Sequence, residues 1–485
     1  MARVVVLGAG ISGHTAALIL RRSLPAEHEV VVVAPNRLWN WIPSNIWVGV
    51  GLLKKEDVTF ELPPVYRKVG IVFKQARALE IHPEGGGESP SPYVTVEGTS
   101  TETQGVREDI TYDYLINATG PKLNFTATPG LGPDGNSLSV CTFGHAEKTA
   151  QAVAAAVDRM SRGEKLTFVV GTGHGMCTCE GAAFEYAFNL DHELRRAGVR
   201  DRARLVFLTN EAELGDFGVD GMILSHGGYE IPSRIFAESL FVERGVEWIT
   251  GAHVSAVEPG LVRYETLDGE KHDLAFDFAM LLPPFGGVGL KAFDRAGADI
   301  TSELFAPNQF MKVDADYAPK PYEEWRAQDW PKTYEVPRYP GVFAVGIAFA
   351  PPHPISRPRK SKNGTPISPA PPRTGMPSGI MGRTAAETIA ARIRDGAEAP
   401  ARRASLGEIG AACVASAGAG FWRGSAVSMT MFPVVPDYKR FPGLGRDSRL
   451  TFGEIGVAGH WIKVILHFMF MYKAKAMPGW WLIPE

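Results

Sequence analysis

The chain has 485 residues, of which 45% are hydrophobic and 21% charged; that is enough for about three ordinary domains with large cores, and it excludes a disordered chain. A net charge of −3 gives no basis for nucleic acid as a partner. The cysteines Cys141, Cys177, Cys179 and Cys413 are too few for a disulfide framework, so they point to redox or catalytic work or to packing.

Arg3–Leu7 reads as a strand directly after Met1-Ala2, without the charged, apolar and small-residue regions of a secretory leader. Gly8-Ala9-Gly10-Ile11-Ser12-Gly13 follows, then a helix over His14–Ser23 and a second strand over Val30–Val33. This is a βαβ unit of about 30 residues carrying G-x-G-x-x-G. Gly8 permits the tight turn, Gly10 lets the backbone approach a pyrophosphate, and Gly13 lets helix and strand pack closely. The phosphates are expected on the free N–H groups at the helix start. Where an Asp or Glu for the ribose is usual, the strand ends in Ala34-Pro35-Asn36-Arg37, so Asn36 is the expected ribose contact, with less charge.

Residues 70–115 read as hairpins, Tyr112–Ala118 as a strand before Thr119-Gly120, and 145–160 as a helix. A second strand–turn–helix–strand follows: Leu166–Val170, Gly171-Thr172-Gly173-His174-Gly175, Gly181–Ala197 and Leu205–Leu208. It lies about 165 residues after the first, a two-dinucleotide-unit layout. The expected fold is α/β, with two Rossmann-like dinucleotide-binding domains. The second turn is broken as a nicotinamide site, because Met176 stands where a third glycine belongs and Cys177 and Cys179 follow. Two readings of these thiols stay open. A helix start lowers thiol pKa and favours a reactive thiolate, or both are small residues filling a tight strand–helix junction.

Further on, 314–340 is dense in Pro, Tyr, Trp and charge and reads as an irregular surface insertion. Phe343–Gly346 reads as a strand, 351–372 as a long mobile loop and Ser378–Asp395 as a helix capped by Ser378. Gly459–Ala474 reads as a helix with Ile462, Ile465, Leu466, Met469 and Tyr472 on one face and Lys463 and His467 opposite, followed by Trp480 and Trp481. It suits a helix lying at the headgroup level of a membrane, the alternative being burial in a dimer interface. No uncharged apolar window reaches the ~18 residues of a membrane span. The expected units are 1–145 (first Rossmann-like unit), 146–290 (second, with the cysteines), 291–400 (return to the first, with a Pro-rich insertion) and 401–485 (membrane-associating region).

Several collinear segments resemble the sulfide:quinone oxidoreductases, two-dinucleotide-domain flavoproteins of the disulfide reductase-like superfamily. They are Arg37–Gly51 (RLWNWIPSNIWVGVG), Tyr112–Phe125 (YDYLINATGPKLNF), Ser139–His145 (SVCTFGH), Cys179–Glu185 (CEGAAFE), Leu214–Gly221 (LGDFGVDG), Pro283-Pro284-Phe285, Val342–Ile347 (VFAVGI) and Arg373-Thr374-Gly375. The resemblance implies FAD as cofactor, sulfide and a membrane quinone as substrates, polysulfide or elemental sulfur as product, and a peripheral, homo-oligomeric membrane enzyme. It implies that Cys179 handles sulfur beside the flavin and that Cys141 is linked to the flavin or assists sulfur release. His145 and Glu185 match acid/base residues. Gly8, Gly10, Gly13, Asn36, Arg37, Ala118, Thr119, Gly120, Gly346, Ile347 and Arg373 fall on the cofactor-binding segments, Arg373 where the family usually has Lys. Phe421 and Trp422 are candidates for an apolar quinone channel. No metal is expected.

The family's third cysteine is missing, since Gly364–Ser368 (GTPIS) stands in its place. Either Cys177 or Cys141 substitutes for it, or another sulfur acceptor or substrate is used, and Cys413 reads as packing. The competing readings are a type II NADH:quinone oxidoreductase, disfavoured by Met176 and the two thiols; a flavin subunit of a cytochrome-linked sulfide dehydrogenase, disfavoured because Trp39–Asn45 supplies no cysteine; and a non-catalytic flavoprotein that binds a partner through 314–340.

Overall fold

The computed structural model describes residues 1–87, 89–178, 180–418 and 424–485. Cys179, Phe421 and Trp422, each given a role above, lie outside the described residues.

The valine run of β1 (Arg3–Leu7) is buried on both faces, as a central parallel strand requires. Helix α1 (Ile11–Ser23) crosses over to β2 (Glu29–Ala34). Next come β3 (Val72–His82), β4 (Tyr93–Gly98), β5 (Arg107–Thr111) and β6 (Tyr114–Asn117). Helix α2 (Phe143–Ser161) leads into the second unit: β7 (Leu166–Thr172), α3 (Glu180–Arg196), β8 (Ala203–Leu208), β9 (Glu247–Ile249) and β10 (Phe278–Leu282). The chain then returns through β11 (Val342–Ala344) and α4 (Gly375–Asp395). It ends with β12 (Ala411–Ala417), β13 (Ser425–Met431), β14 (Gly453–Gly456) and α5 (Val457–Ala474).

The first sheet runs β11-β6-β1-β2-β3-β4-β5. Its first five members are parallel, and β3, β4 and β5 form the antiparallel hairpins. The second sheet, β9-β8-β7-β10, is parallel throughout. The two units are stitched together where Lys122–Leu123 pairs with Phe285–Gly286. A third, antiparallel sheet, β12-β13-β14, lies under α5 and against α3.

Three expectations are corrected. The 314–340 segment is irregular, but it is no surface insertion: Trp330 and Tyr334 are buried, and Tyr334 donates its hydroxyl to the Ala404 carbonyl. Helix α4 begins at Gly375 rather than Ser378, and the Ser378 hydroxyl bonds back to the Thr374 carbonyl instead of capping. For α5 the sequence left open which face is inside: Lys463 and His467 face inward, Lys463 to Glu185 and His467 to the Ser44 hydroxyl. The apolar residues Ile462, Ile465, Phe468 and Tyr472 are the exposed ones. The 351–372 segment has no helix or strand but is docked, with Ile355 and Ile367 buried.

Candidate functional site

Three segments meet at the carboxyl ends of β1, β6 and β11. Gly8, at φ +98°, has room for no side chain, because a Cβ would stand 2.2 Å from the Ala118 carbonyl oxygen. Gly13 is as crowded, its Cβ position lying 2.1 Å from the Gly8 carbonyl. Gly10 is the opposite case: nothing lies within 4 Å of its Cβ position, and as the N-cap of α1 it brings no capping side chain. The first-turn N–H groups of α1 therefore stand uncapped beside open space, a ready anion cradle. Ala118, Thr119 and Gly120 leave β6 next to Gly8, and Gly120 (φ +69°) also faces open space. Gly346 closes the third side, its Cβ position 2.1 Å from the Ser12 hydroxyl. The start of α4 joins them, with the Gly375 Cβ position 3.3 Å from Ile11 Cδ1.

Asn36 is exposed just past the end of β2, and Arg37 is engaged with Glu61 at 2.6 Å. Arg373 Nη1 donates to the Phe349 carbonyl at 3.2 Å and reaches that of Ile347 at 3.5 Å, and its guanidinium lies over the Phe310 ring. These residues fit a flavin dinucleotide: a glycine turn open to phosphates, two helix starts and a cation converge on one place.

The second glycine turn is built differently. Gly173 and Gly175 are packed against the protein itself, their Cβ positions 2.4 Å from Leu131 Cδ1 and 2.5 Å from the Pro366 carbonyl. Its N–H groups are spent internally: Gly173 on the Leu282 carbonyl, Gly175 on His253 Nδ1, Met176 on His174 Nδ1. The docked loop crosses it, with Ser368 N–H on the Gly175 carbonyl and Ala370 N–H on that of Cys177. These three donors are not available to a second pyrophosphate.

Cys177 is fully buried and its thiol donates to the Leu282 carbonyl at 3.1 Å. Helix α3 is described from Glu180, and Cys177 stands three residues before it. Burial, then Glu180, push its pKa well up, which makes it a protonated thiol, not a thiolate. Burial likewise pushes Cys141 up to about 11, partly opposed by Ser139. Cys141 lies just before α2, where Thr142 Oγ1 caps the His145 N–H at 3.1 Å. The half-buried His145 packs edge-on against Phe125, its Nδ1 has no partner among the described residues, and burial, then Lys148, lower its pKa. Glu185 is buried, and its carboxylate accepts from Ser416 N–H (3.1 Å), Ser416 Oγ (2.9 Å) and Lys463 Nζ (3.1 Å). Cys413 Sγ lies against the first turn of α3, 3.2 Å from the Gly181 Cβ position.

A family model described as pyridine nucleotide-disulphide oxidoreductase matches residues 2–292. The chain belongs to this family. Membership in the pyridine nucleotide-disulphide oxidoreductases makes it an oxidoreductase and implies a flavin cofactor. The chain is 29% identical over 97% of its length, and 91% of the relative's, to a sulfide-quinone reductase of Aquifex aeolicus. A mitochondrial sulfide:quinone oxidoreductase of Mus musculus is 26% identical, over 64% of each chain. The crystal structure of the Aquifex aeolicus sulfide:quinone oxidoreductase superposes with a TM-score of 0.75 at 27% identity, covering 98% of this chain and 92% of that one.

The structure also assembles groups that sequence reading passed over. His14, at the first turn of α1, is buried between the Tyr66 hydroxyl (2.9 Å) and the Ala474 carbonyl (2.7 Å). A histidine among apolar helix residues is the signal that was available. Glu180 is buried together with Glu211 and Asn210, and only its place directly after a cysteine marked it. Among the described residues no cluster of His, Cys, Asp and Glu is arranged to hold a metal.

Proposed function

We propose that this protein oxidises sulfide and passes the electrons through FAD to a membrane quinone. The observation that carries this reading is the collinear similarity to a sulfide-quinone reductase along 97% of the chain. When bound, FAD supplies a two-electron acceptor that can be reoxidised. The Gly8–Gly13 turn holds its pyrophosphate, Asn36 and Arg37 lie on the ribose side, and Ala118–Gly120, Gly346, Ile347 and Arg373 surround the remainder. The cysteine-bearing turn before α3 is the sulfur site, with Cys179 and Cys141 as its working thiols. His145, with its free Nδ1, moves protons there. Glu185 is fixed by Lys463 and Ser416, so its part is to hold α5 and β12 against α3. The filled second glycine turn disfavours NADH as donor.

The membrane lies against the exposed face of α5, where Ile462, Ile465 and Phe468 (66% exposed) are continued by Met477, Trp481 and Leu482. Among the described residues no helix is long and apolar enough to cross a membrane, so contact is peripheral. A cavity of about 50 Å³, lined mainly by apolar groups of Ile11, Trp39, Trp41, Met376 and Phe470, lies between α1, the start of α4 and α5. It is the approach for a quinone headgroup arriving from the lipid.

Anaerobic titration with sulfide, then with a short-chain quinone, tests the reading through flavin absorbance. Sulfide should bleach the flavin and quinone restore it; bleaching by NADH and not by sulfide refutes the proposal. Cys179→Ala should abolish sulfide-driven bleaching.

A further inference from the structure

Residues 479–485 form a strap that folds back onto the end of α5. Gly479, at φ +76°, makes the reversal, and just ahead of it the Tyr472 hydroxyl donates to the Pro478 carbonyl at 2.7 Å. Inside the strap, the Leu482 N–H bonds the Gly479 carbonyl and the Ile483 N–H that of Trp480. Among the described residues, the polar bonds that tie the strap to the rest of the protein all end on one atom, Lys473 Nζ. That ammonium donates to the carbonyls of Ile483 (2.9 Å) and Pro484 (3.2 Å) and meets the Glu485 carboxylate at 2.7 Å. Its three protons are thus all spent on the strap. The ion pair is covered, with side-chain exposures of 6% for Lys473 and 5% for Glu485.

The end of α5 is held by other bonds. His14 Nε2 lies 2.7 Å from the Ala474 carbonyl, and Lys68 Nζ donates to that of Ala476 at 3.0 Å. Loss of the Lys473 bonds therefore frees the strap and leaves the helix in place. What remains on the strap is the packing of the buried Trp480 and the Arg22 guanidinium stacked over Trp481.

The Lys473–Glu485 pair also stands between two cavities and lines both. On one side is the apolar cavity of about 50 Å³ between α1, the start of α4 and α5. There Glu485 Oε2 lies 3.0 Å from the Gly379 Cβ position. On the other side is a more polar cavity of about 80 Å³, lined by Arg22, Arg383, Trp480 and Trp481. Trp481 places this second cavity beside the proposed membrane face. An apolar space of about 150 Å³ is the scale that holds one six-membered ring, and neither cavity reaches it alone. Joined, with the space that the pair gives up, they do.

We propose that Lys473 and Glu485 form a latch that holds the strap shut between the two cavities, and that its opening joins them into the passage by which a quinone headgroup reaches α1 from the lipid side. The passage rests on the proposed quinone chemistry; the latch does not. Lys473 and Glu485 are positioning residues: they touch the strap, and the closed strap limits how often the passage is open.

Two readouts test this, and neither uses sulfide. In Lys473→Met, hydrogen exchange of the Leu482 and Ile483 amides should accelerate by about tenfold or more, because the cation that holds the strap is gone, while the Val464–Met471 amides keep their protection. Glu485→Gln keeps both carbonyl bonds and should give a smaller acceleration; it alters only the strap, so it supplies the same test if Lys473→Met does not fold. The second readout is anaerobic: the flavin is photoreduced and mixed with a low concentration of a short-chain quinone. The second-order rate of reoxidation should rise by about tenfold in Lys473→Met, and by less in Glu485→Gln, because the open fraction rises. A pair that merely braces the fold would leave that rate unchanged or lower it, and either result overturns the latch. So does a strap that stays protected in both variants. A strap that loosens as described in a protein whose reduced flavin no quinone reoxidises overturns the quinone reading instead.

Discussion

Replacing Lys463 with Met keeps most of the side-chain stem and removes the cation that reaches Glu185. The ion pair is well covered, with side-chain exposures of 12% for Lys463 and 7% for Glu185. Removing one partner of a buried pair costs about 3–5 kcal/mol, because the remaining charge stays buried without compensation. Here Ser416 still gives Glu185 two hydrogen bonds through its N–H and Oγ, which places the expected loss near the lower end, about 3 kcal/mol. The loss should appear where α5 meets α3, so the assay is native-state hydrogen exchange of the Val457–Ala474 amides. A double-mutant cycle with Glu185→Gln isolates the charge coupling: Lys463→Met with Glu185→Gln should recover about 2 kcal/mol relative to the sum of the single changes. Single variants within about 0.5 kcal/mol of the parent, with additive effects, would match a solvated surface pair and refute the assignment of Lys463 as an inward anchor.

Gly8→Ala should abolish flavin binding or soluble expression, since its Cβ meets the Ala118 carbonyl at 2.2 Å on a backbone of positive φ; normal flavin content in the purified variant refutes the turn's crowding. Burial lowers the His14 pKa from 6.5 to about 4, so the folded state binds fewer protons than the unfolded. Its contribution is present above pH 6.5 and is lost as pH falls towards 4, by up to about 1.4 kcal/mol per pH unit. Thermal melts of His14→Asn should show a shallower acid limb, and an unchanged limb counts against this. Phe468→Glu with Ile465→Glu should cut co-sedimentation with vesicles at least tenfold without lowering the melting temperature, because both side chains face outward; undiminished binding removes α5 as the membrane face.

The two strand–glycine turn–helix units were legible because their causes are local. A valine run, a glycine spacing and a helical period lie within about 30 residues of one another, and β1, α1, β7 and α3 appear where those patterns stand. Met176 in place of a third glycine set the second turn apart from the first in the sequence. What fills that site was not legible, because Pro366–Ala370 arrives from nearly 200 residues away.

The same limit explains what the sequence left open. Helix periodicity separates the two faces of α5 but does not say which is inside. That is decided by Glu185, 278 residues from Lys463, and Ser44, 423 residues from His467. Polar residues can face the protein when it supplies their partners, leaving apolar ones outward. For Cys177, of the two readings the sequence left open, burial and the thiol's hydrogen bond to the Leu282 carbonyl accord with packing at the strand–helix junction. By itself the sequence determined the kind of fold, the first glycine turn and the family resemblance, because short-range sterics and hydrogen bonding specify them. Only the tertiary structure decided which charges are spent on partners and which are left. For Glu185, Glu180 and His14 that depends on atoms far along the chain, brought together by the cores of two sheets.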